Sequence, residues 1–181
     1  MPLTGSGGQR SRHRESPPPV DPEDCTAAAA MAERLLAVTD RSRVELQRRL
    51  ERRGYAAATA AEAVDRLEAR GWVDDARLAE DLARRRLSHG YGRRRVIADL
   101  VARGVGAETV NRTAAEIGGS QTEAVRIAAE RLRRGHPGPP TPPEVRRLAA
   151  ALQRRGFDSA DIRAVLRRLA GDGAALTEEE S

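Results

Sequence analysis

The tripeptide Arg53-Gly54-Tyr55 returns as Arg103-Gly104-Val105 and again as Arg155-Gly156-Phe157, so an Arg-Gly-apolar sequence recurs after 50 and then 52 residues. Counted from each glycine, the positions eight and four residues before it and thirteen residues after it are apolar in all three copies. These matched residues are Leu46, Val96 and Leu148; Leu50, Leu100 and Leu152; and Leu67, Ile117 and Leu169. A period near 50 residues predicts a tandem repeat.

The apolar pattern between the repeated tripeptides is helical. Apolar residues recur every three to four positions, and no stretch alternates with the period of two that is typical of a strand. Each copy has room for three amphipathic helices. We therefore predict an all-α fold of nine helices, in which each three-helix unit buries its apolar face against the next and forms an elongated, curved solenoid.

The predicted organisation has three repeats between two terminal segments. The N-terminal segment is rich in Gly, Ser, Pro and charge, a composition that is typical of disorder. The last residues carry two glycines and a run of three glutamates, which indicates a solvated acidic tail. The expected boundaries are 1–25 for the disordered segment, 26–73, 74–118 and 119–170 for the three repeats, and 171–181 for the tail.

The ends of the helices carry recognisable capping residues. Ser42 with Glu45 fits a capping box, and Asp74 or Asp75 can cap the first helix of the second repeat. In the repeated tripeptides we expect the glycine to adopt the left-handed conformation that ends a helix, while the next residue folds back onto the helix. We therefore predict structural roles for Gly54, Gly104 and Gly156. The same reasoning predicts that Leu67 contacts Trp72 across Gly71.

Composition excludes several functional classes. The chain of 181 residues has one cysteine and three scattered histidines, so we expect neither a disulfide within the chain nor a structural metal. No apolar run is long enough to span a membrane, and the first residues lack a secretion signal, so we expect a cytoplasmic protein. The usual motifs of hydrolases, metalloproteases and nucleotide-binding loops are missing, and we predict no catalytic residues and no cofactor.

Arginine dominates the charge of the chain. All 32 basic residues are arginine, and the net charge is +5. Arginine in place of lysine can follow from genomic base composition, or it can serve phosphate and carboxylate partners through its planar fork. Residues 74–104 and 144–170 carry the largest positive excess. They include the candidate contact residues Arg84, Arg85, Arg93, Arg94, Arg95, Arg146 and Arg147.

Two interpretations of these arginines remain open. They can form a solvated face with ion pairs within the helices, for example to Glu80, Asp81 and Asp99. Alternatively, the clusters on either side of the turn at residues 87–92 form an electrostatic contact for phosphates or for an acidic protein. The shortage of aromatic residues argues against base stacking on single strands.

Three stretches make the chain resemble the RecX regulatory family. They are Ser42-x-x-Glu45-Leu46 with Arg53-Gly54-Tyr55; Gly71-Trp72-Val73-Asp74-Asp75-x-Arg77-Leu78-Ala79; and Gly92 with Arg95-Val96 and Asp99-Leu100-x-x-Arg103-Gly104-Val105. The resemblance covers roughly residues 27–169. It implies three tandem three-helix units, in agreement with the repeat.

The resemblance also implies a function. Members of this family bind in the groove of the RecA recombinase filament on single-stranded DNA and restrain filament growth, ATP hydrolysis and strand exchange. We accordingly expect a monomeric, non-enzymatic inhibitor of homologous recombination whose arginines contact the filament, with weaker direct binding to DNA. The alternatives are a helical DNA-binding protein that acts without a recombinase, and a helical scaffold for another acidic protein.

Overall fold

The computed structural model describes residues 21–119, 121–133, 135 and 138–175, with side chains as far as residue 171. Within these ranges the regular structure consists of nine α-helices and no strands. They are α1 (Cys25–Leu36), α2 (Arg43–Glu51), α3 (Ala57–Ala69), α4 (Asp75–Ser88), α5 (Arg93–Ala102), α6 (Ala107–Glu116), α7 (Thr122–Arg133), α8 (Pro142–Arg154) and α9 (Ser159–Ala175). None of these described helices is long and apolar enough to cross a membrane.

Both ends of the helical region differ from the predicted boundaries. The predicted disordered segment extends to residue 25, but the structure describes the chain from residue 21 onward. Within this overlap Asp24 caps α1 by accepting a hydrogen bond from the Ala27 N–H at 2.9 Å. The preceding residues 1–20 lie outside the described residues. At the other end, α9 continues to Ala175, into the region predicted to be a solvated tail. Residues 176–181 lie outside the description.

Each group of three consecutive helices encloses its own hydrophobic core. The three tandem three-helix units predicted from the repeat are confirmed, and the matched apolar positions lie in these cores. Their buried centres include Leu46, Leu50 and Leu67 in the first unit; Leu82, Val96 and Leu100 in the second; and Val125, Leu152 and Phe157 in the third. The expectation that each unit buries its apolar face against the next is wrong, because each of these clusters draws its residues from one unit.

The repeated glycines end the second helix of each unit. Gly54, Gly104 and Gly156 have φ angles of 100°, 73° and 83°, a conformation that residues with a Cβ rarely adopt. The next residue then donates its N–H to the carbonyl five residues back, as the Schellman motif requires. These bonds run from Tyr55 to Leu50 at 3.3 Å, from Val105 to Leu100 at 3.1 Å and from Phe157 to Leu152 at 3.3 Å.

Trp72 departs from this pattern at the side chain. Its N–H donates to the Leu67 carbonyl at 2.9 Å across Gly71, so the backbone motif forms as predicted. However, the Trp72 side chain stays 52% exposed, whereas Tyr55 and Phe157 are buried. The predicted contact of Leu67 with Trp72 is therefore made at least by the backbone, and the indole is not buried with Leu67. Gly71 ends α3, at the link to the second unit, where the ring has water on one side.

Two of the three predicted N-caps act on their own helices. Ser42 forms a complete capping box with Glu45 at the start of α2. Asp74 caps α4 by accepting from the Arg77 N–H at 2.9 Å. The prediction for Asp75 needs correction: its carboxylate accepts the N–H of Arg43, at the start of α2, at 2.9 Å. Asp75 thus caps a helix of the first unit from a position in the second.

Units two and three are joined by the ends of their second helices. The N–H of Gly92 donates to the Arg155 carbonyl at 2.7 Å, and the N–H of Arg94 donates to the Gly156 carbonyl at 3.1 Å. The first residues of α5 therefore satisfy carbonyls at the end of α8. The backbones approach so closely that a Cβ at Gly92 would lie 2.4 Å from the Gly156 oxygen.

Units one and two are also joined by the ends of their second helices, here through a side-chain hydroxyl. The Ser42 hydroxyl donates to the Arg103 carbonyl, so the start of α2 lies at the end of α5. Gly104 packs against Val44 so tightly that a Cβ on the glycine would lie 2.7 Å from a Val44 methyl. Helices α8, α5 and α2 consequently form a head-to-tail column, with each positive helix start on the negative end of the next.

Replacing Gly92 by alanine should separate units two and three. The added methyl meets backbone on the other side, which cannot rotate away, and overpacking of this kind costs ~1–3 kcal/mol. Gly106→Ala is the matched control, because Gly106 caps α6 and a Cβ there would have no neighbour within 4 Å. Urea unfolding, together with hydrogen exchange of the Arg94 amide, measures the difference. Equal effects of the two substitutions would contradict the close junction.

Asp75 should give the stability of the protein a distinct pH dependence. Burial raises the pKa of the Asp75 carboxyl above its ordinary value of 3.8, although the Arg43 N–H opposes the shift. Because the folded state holds this proton more tightly than the unfolded state does, this group's contribution falls as pH rises from below 3.8 through the folded pKa.

Asp75→Asn should therefore gain stability relative to the original protein as pH rises through this range, since the amide oxygen still accepts the Arg43 N–H. Asp75→Ala leaves that N–H without its acceptor and should lose ~1–2 kcal/mol near neutral pH. Denaturant midpoints measured across acidic to neutral pH test both expectations. A loss of equal size for the asparagine and alanine variants would show that Asp75 does not act as this cap.

Candidate functional site

The turn between α4 and α5 brings together arginines from the two predicted clusters. Arg86 at the end of α4 and Arg95 in the first turn of α5 both bind Asp99, with Nε to carboxylate distances of 2.6 and 3.1 Å. Their guanidinium groups also lie 5.5 and 5.9 Å from the centre of the Tyr91 ring. The aromatic ring and the carboxylate thus hold two cations at one corner of the second unit.

Arg93 and Arg94 bind across the junction to the third unit. Both reach Asp158, at 3.2 Å from Arg93 Nη2 and 2.7 Å from Arg94 Nε. Arg93 also donates to the Gly118 carbonyl at 3.1 Å, and its side chain is only 32% exposed. Arg94 is 67% exposed, so one face of its guanidinium remains open. Of this pair, Arg93 acts as a structural bridge and Arg94 has room for a partner.

A polar network completes this junction. The backbone N–H of Arg93 donates to the Gln121 side-chain oxygen at 2.9 Å. The Gln121 N–H in turn donates to buried Asp161 at 2.9 Å. Both Gln121 and Asp161 are buried, which strengthens these bonds relative to bonds in water. The start of α5 is therefore fixed by its backbone as well as by Arg93.

Arg84 and Arg85 occupy different environments although they are adjacent. Arg84 pairs with Asp81 one turn earlier in α4, at 2.8 Å, as the solvated-face interpretation predicts. Arg85 is exposed, and within the described residues its side chain has no ion pair. Together with Arg86, His89 and Arg103 it lines a cavity of about 490 Å³, and Thr39 and Asp40 of the first unit line the other side, so the cavity also contains a carboxylate.

The junction of the first two units holds an arginine cluster that sequence reasoning missed. Burial and then the charge of Arg49 lower the pKa of the Arg41 guanidinium, and Arg103 and Arg53 act in the same direction. Glu45 opposes this lowering, and it lies 3.9 Å from Arg103. The Arg41 Nε is buried, and no hydrogen-bond partner for it lies in the described part of the chain.

Further arginines lie next to this cluster, along the second unit and towards the third. Arg103 belongs to the Arg41 cluster and also lines the cavity with Arg85. Next to His89 in the chain, Gly90 lies close to two arginines of the third unit. A Cβ on Gly90 would be 3.5 Å from an Arg155 nitrogen and 4.0 Å from an Arg131 nitrogen. We call this set of arginines the arginine track. It consists of Arg41, Arg49, Arg53, Arg85, Arg86, Arg103, Arg131 and Arg155.

Arg146 and Arg147 lie apart from this track, in the first turns of α8. Arg147 lines a separate groove of about 510 Å³ between α7 and α8, together with Arg133 and Arg154. Arg146 is exposed on the same helix. The sequence groups both with the other candidate contacts because of their charge, but the structure places Arg147 in this separate groove. Arg154 also borders Arg94 and Arg95 in a neighbouring cleft.

The described residues contain no group of three or more histidine, cysteine, aspartate or glutamate side chains that could hold a metal ion. The chemistry of the track is therefore that of guanidinium groups. These groups donate several hydrogen bonds in a planar fork and match phosphate or carboxylate oxygens in pairs.

The environments of Arg93 and Arg85 predict that alanine substitution lowers stability much more at Arg93 than at Arg85. Arg93→Ala removes a partly buried bridge to Asp158 and Gly118, and we expect a loss of ~1–3 kcal/mol. Arg85→Ala removes an exposed side chain with no ion pair and should change stability by less than ~0.5 kcal/mol. Urea unfolding of both variants measures the contrast. A destabilised Arg85→Ala protein would show that this arginine belongs to the structural framework.

Comparison with family models finds three consecutive matches along the chain. Residues 28–67 match the model described as RecX, first three-helix domain; residues 74–113 match the second domain; and residues 120–166 match the third. Each matched range lies within one of the three three-helix units. The order of the matched domains is the order of the repeats in the sequence.

Relatives with similar sequences carry the same description. A protein named Regulatory protein RecX from Xanthomonas oryzae pv. oryzae is 41% identical over 133 residues, which cover 74% of this chain and 82% of the relative. One of the same name from Stenotrophomonas maltophilia is 39% identical, with coverage of 74% and 81%.

A solved structure shares the fold. The crystal structure of RecX from Lactobacillus salivarius superimposes with a TM-score of 0.68 at 17% identity, covering 81% of this chain and 96% of that one. At this level of identity the likeness concerns the fold alone.

Proposed function

Because the chain belongs to the RecX family of regulatory proteins, we propose that it binds a RecA-type recombinase filament on single-stranded DNA and inhibits filament growth, ATP hydrolysis and strand exchange. The observation that carries this proposal is the arginine track, in which eight arginines from all three units lie beside Asp40, Glu45 and Asp99. Like charges held close together are unfavourable unless an anion lies between them. A filament on DNA offers phosphates and acidic side chains along a regular path.

The geometry of the chain suits a partner that repeats along its length. The track crosses both junctions, so one molecule can contact a filament at several points. Contacts made together raise the overall affinity although each is weak. No catalytic step is part of the proposal, and the protein would act by occupying a surface that filament growth or strand exchange requires.

The structure changes which arginines we expect to make contact. Arg93 is engaged at the junction, so its removal would confuse folding with binding. Arg85, Arg94, Arg146 and Arg147 stay as proposed contacts because they are exposed. Arg84, Arg94 and Arg95 already have carboxylate partners, so they can contribute only by exchanging these partners or through the open face of the guanidinium group. Arg53, which is also exposed, joins the set through the track.

Inhibition of recombinase ATP hydrolysis on single-stranded DNA tests the proposal. We expect Arg53→Ala/Arg85→Ala to raise the concentration for half-maximal inhibition about tenfold, which corresponds to ~1.4 kcal/mol. The matched control is Arg66→Ala/Arg126→Ala, which removes the same charge from side chains paired within their own helices. Thermal unfolding verifies that both variants fold. Equal effects of the two pairs, or unchanged inhibition by the track variant, would contradict the proposal.

Binding to naked DNA distinguishes the alternative function. A protein that acts on DNA alone should bind duplex as tightly as it binds the filament. Its affinity should fall with salt at a logarithmic slope of about −0.9 for each phosphate contact. We expect the filament to be preferred. If naked DNA binds equally well in the same buffer, the interpretation as a DNA-binding protein without a recombinase replaces this one.

A further inference from the structure

The last helix carries positive charges without visible counter-charges. Arg163, Arg167 and Arg168 are exposed on α9, and none of them has an ion pair within the described residues. The helix has two acidic residues: Asp161 is buried and binds the Gln121 N–H, and Asp172 lies beyond residue 171, where the described side chains end. The third helix of the first unit differs, because its Arg66 is paired with Glu62 one turn away.

A groove runs beside these arginines, between α8 and α9. It has a volume of about 580 Å³ and an apolar floor that includes Val145, Ala149, Ile162 and Leu166. Arg163 and Arg167 stand at its edge, and no carboxylate is among the residues that line it in the described structure. An apolar floor with a cationic rim suits a short peptide that combines an apolar side chain with carboxylates.

The chain itself supplies such a peptide directly after α9. Residues 176–181 read Leu-Thr-Glu-Glu-Glu-Ser, with three acidic residues and no basic one. An extended chain covers at most about 3.3 Å per residue, and a helix rises about 1.5 Å per residue. Six residues that turn back from Ala175 therefore span about 20 Å, or about thirteen residues of helix. The glutamates can reach Arg167 and approach Arg163.

We propose that residues 176–181 fold back onto the groove between α8 and α9 and place their glutamates against Arg163 and Arg167. The carboxylates occupy the positions that phosphates would take, and Leu176 packs at the end of the groove near Ala170. The tail thereby competes with a polyanion for the arginines of the third unit. Its docking is independent of the proposed function, whereas its effect on filament binding rests on that function.

A spin label tests the docking directly and needs no DNA or recombinase. In the full chain with Cys25→Ser, a nitroxide is attached at Ser181→Cys. We expect it to broaden the amide signals of Arg163 and of Ser159, which lie twelve and sixteen residues before Ala175 at the end of α9. The effect should disappear in Glu178→Gln/Glu179→Gln/Glu180→Gln, and also at about 0.5 M salt, where exposed ion pairs are screened. Absence of broadening, or equal broadening in the glutamine variant, would overturn the proposal.

Binding of a fluorescent thymidine oligonucleotide of about twenty residues, longer than the usual single-strand site, tests the competition. Neutralising the three tail glutamates should raise the affinity about fivefold at low salt, and the gain should vanish at high salt. The matched control is Glu80→Gln/Glu108→Gln/Glu116→Gln, which gives the same net charge with an intact tail and changes exposed residues of the second unit. We expect less than about a twofold gain from this control. Equal gains would show a general effect of net charge and would overturn the competition.

Discussion

The backbone hydrogen bonds between helix ends determine how the three units are arranged. The first N–H groups of α5 bind carbonyls at the end of α8, and Ser42 repeats the connection between α2 and α5. Helix ends always leave such groups without partners inside the helix. Here the donors at the start of one helix bind the free carbonyls at the end of the next, so the junction needs little apolar surface. It does need glycine where the opposite backbone approaches, at Gly92 and Gly156, and where the Val44 side chain approaches, at Gly104.

The same joints determine which arginines remain available. Where helix ends meet, Arg93 and Arg94 share Asp158, and Asp75 reaches across to α2. These contacts use carboxylates that would otherwise neutralise the surface. The cluster around Arg41 is left with Glu45 as its opposing charge. The packing of the three units therefore determines the distribution of surface charge: although many arginines form ion pairs, those of the track remain close together.

The sequence predicted what depends on local chemistry. The helices, the capping box at Ser42 and the left-handed glycines follow from residues within a few positions of one another, and the structure has them. The units' separate cores, the cross-unit role of Asp75 and the cluster at Arg41 could not be predicted, because they join residues far apart in sequence. The amphipathic period shows that a helix has a buried face, but it does not identify the helix that covers it.

Separate cores have a consequence for how the chain reaches its native state. Nearly all apolar contacts join residues of the same unit, so loops closed during folding stay short and their entropic cost is small. Topologies dominated by such local contacts fold quickly. During synthesis, the first unit can complete its core while the second is still being made. The glycine-lined joints can then form between units whose cores are already complete.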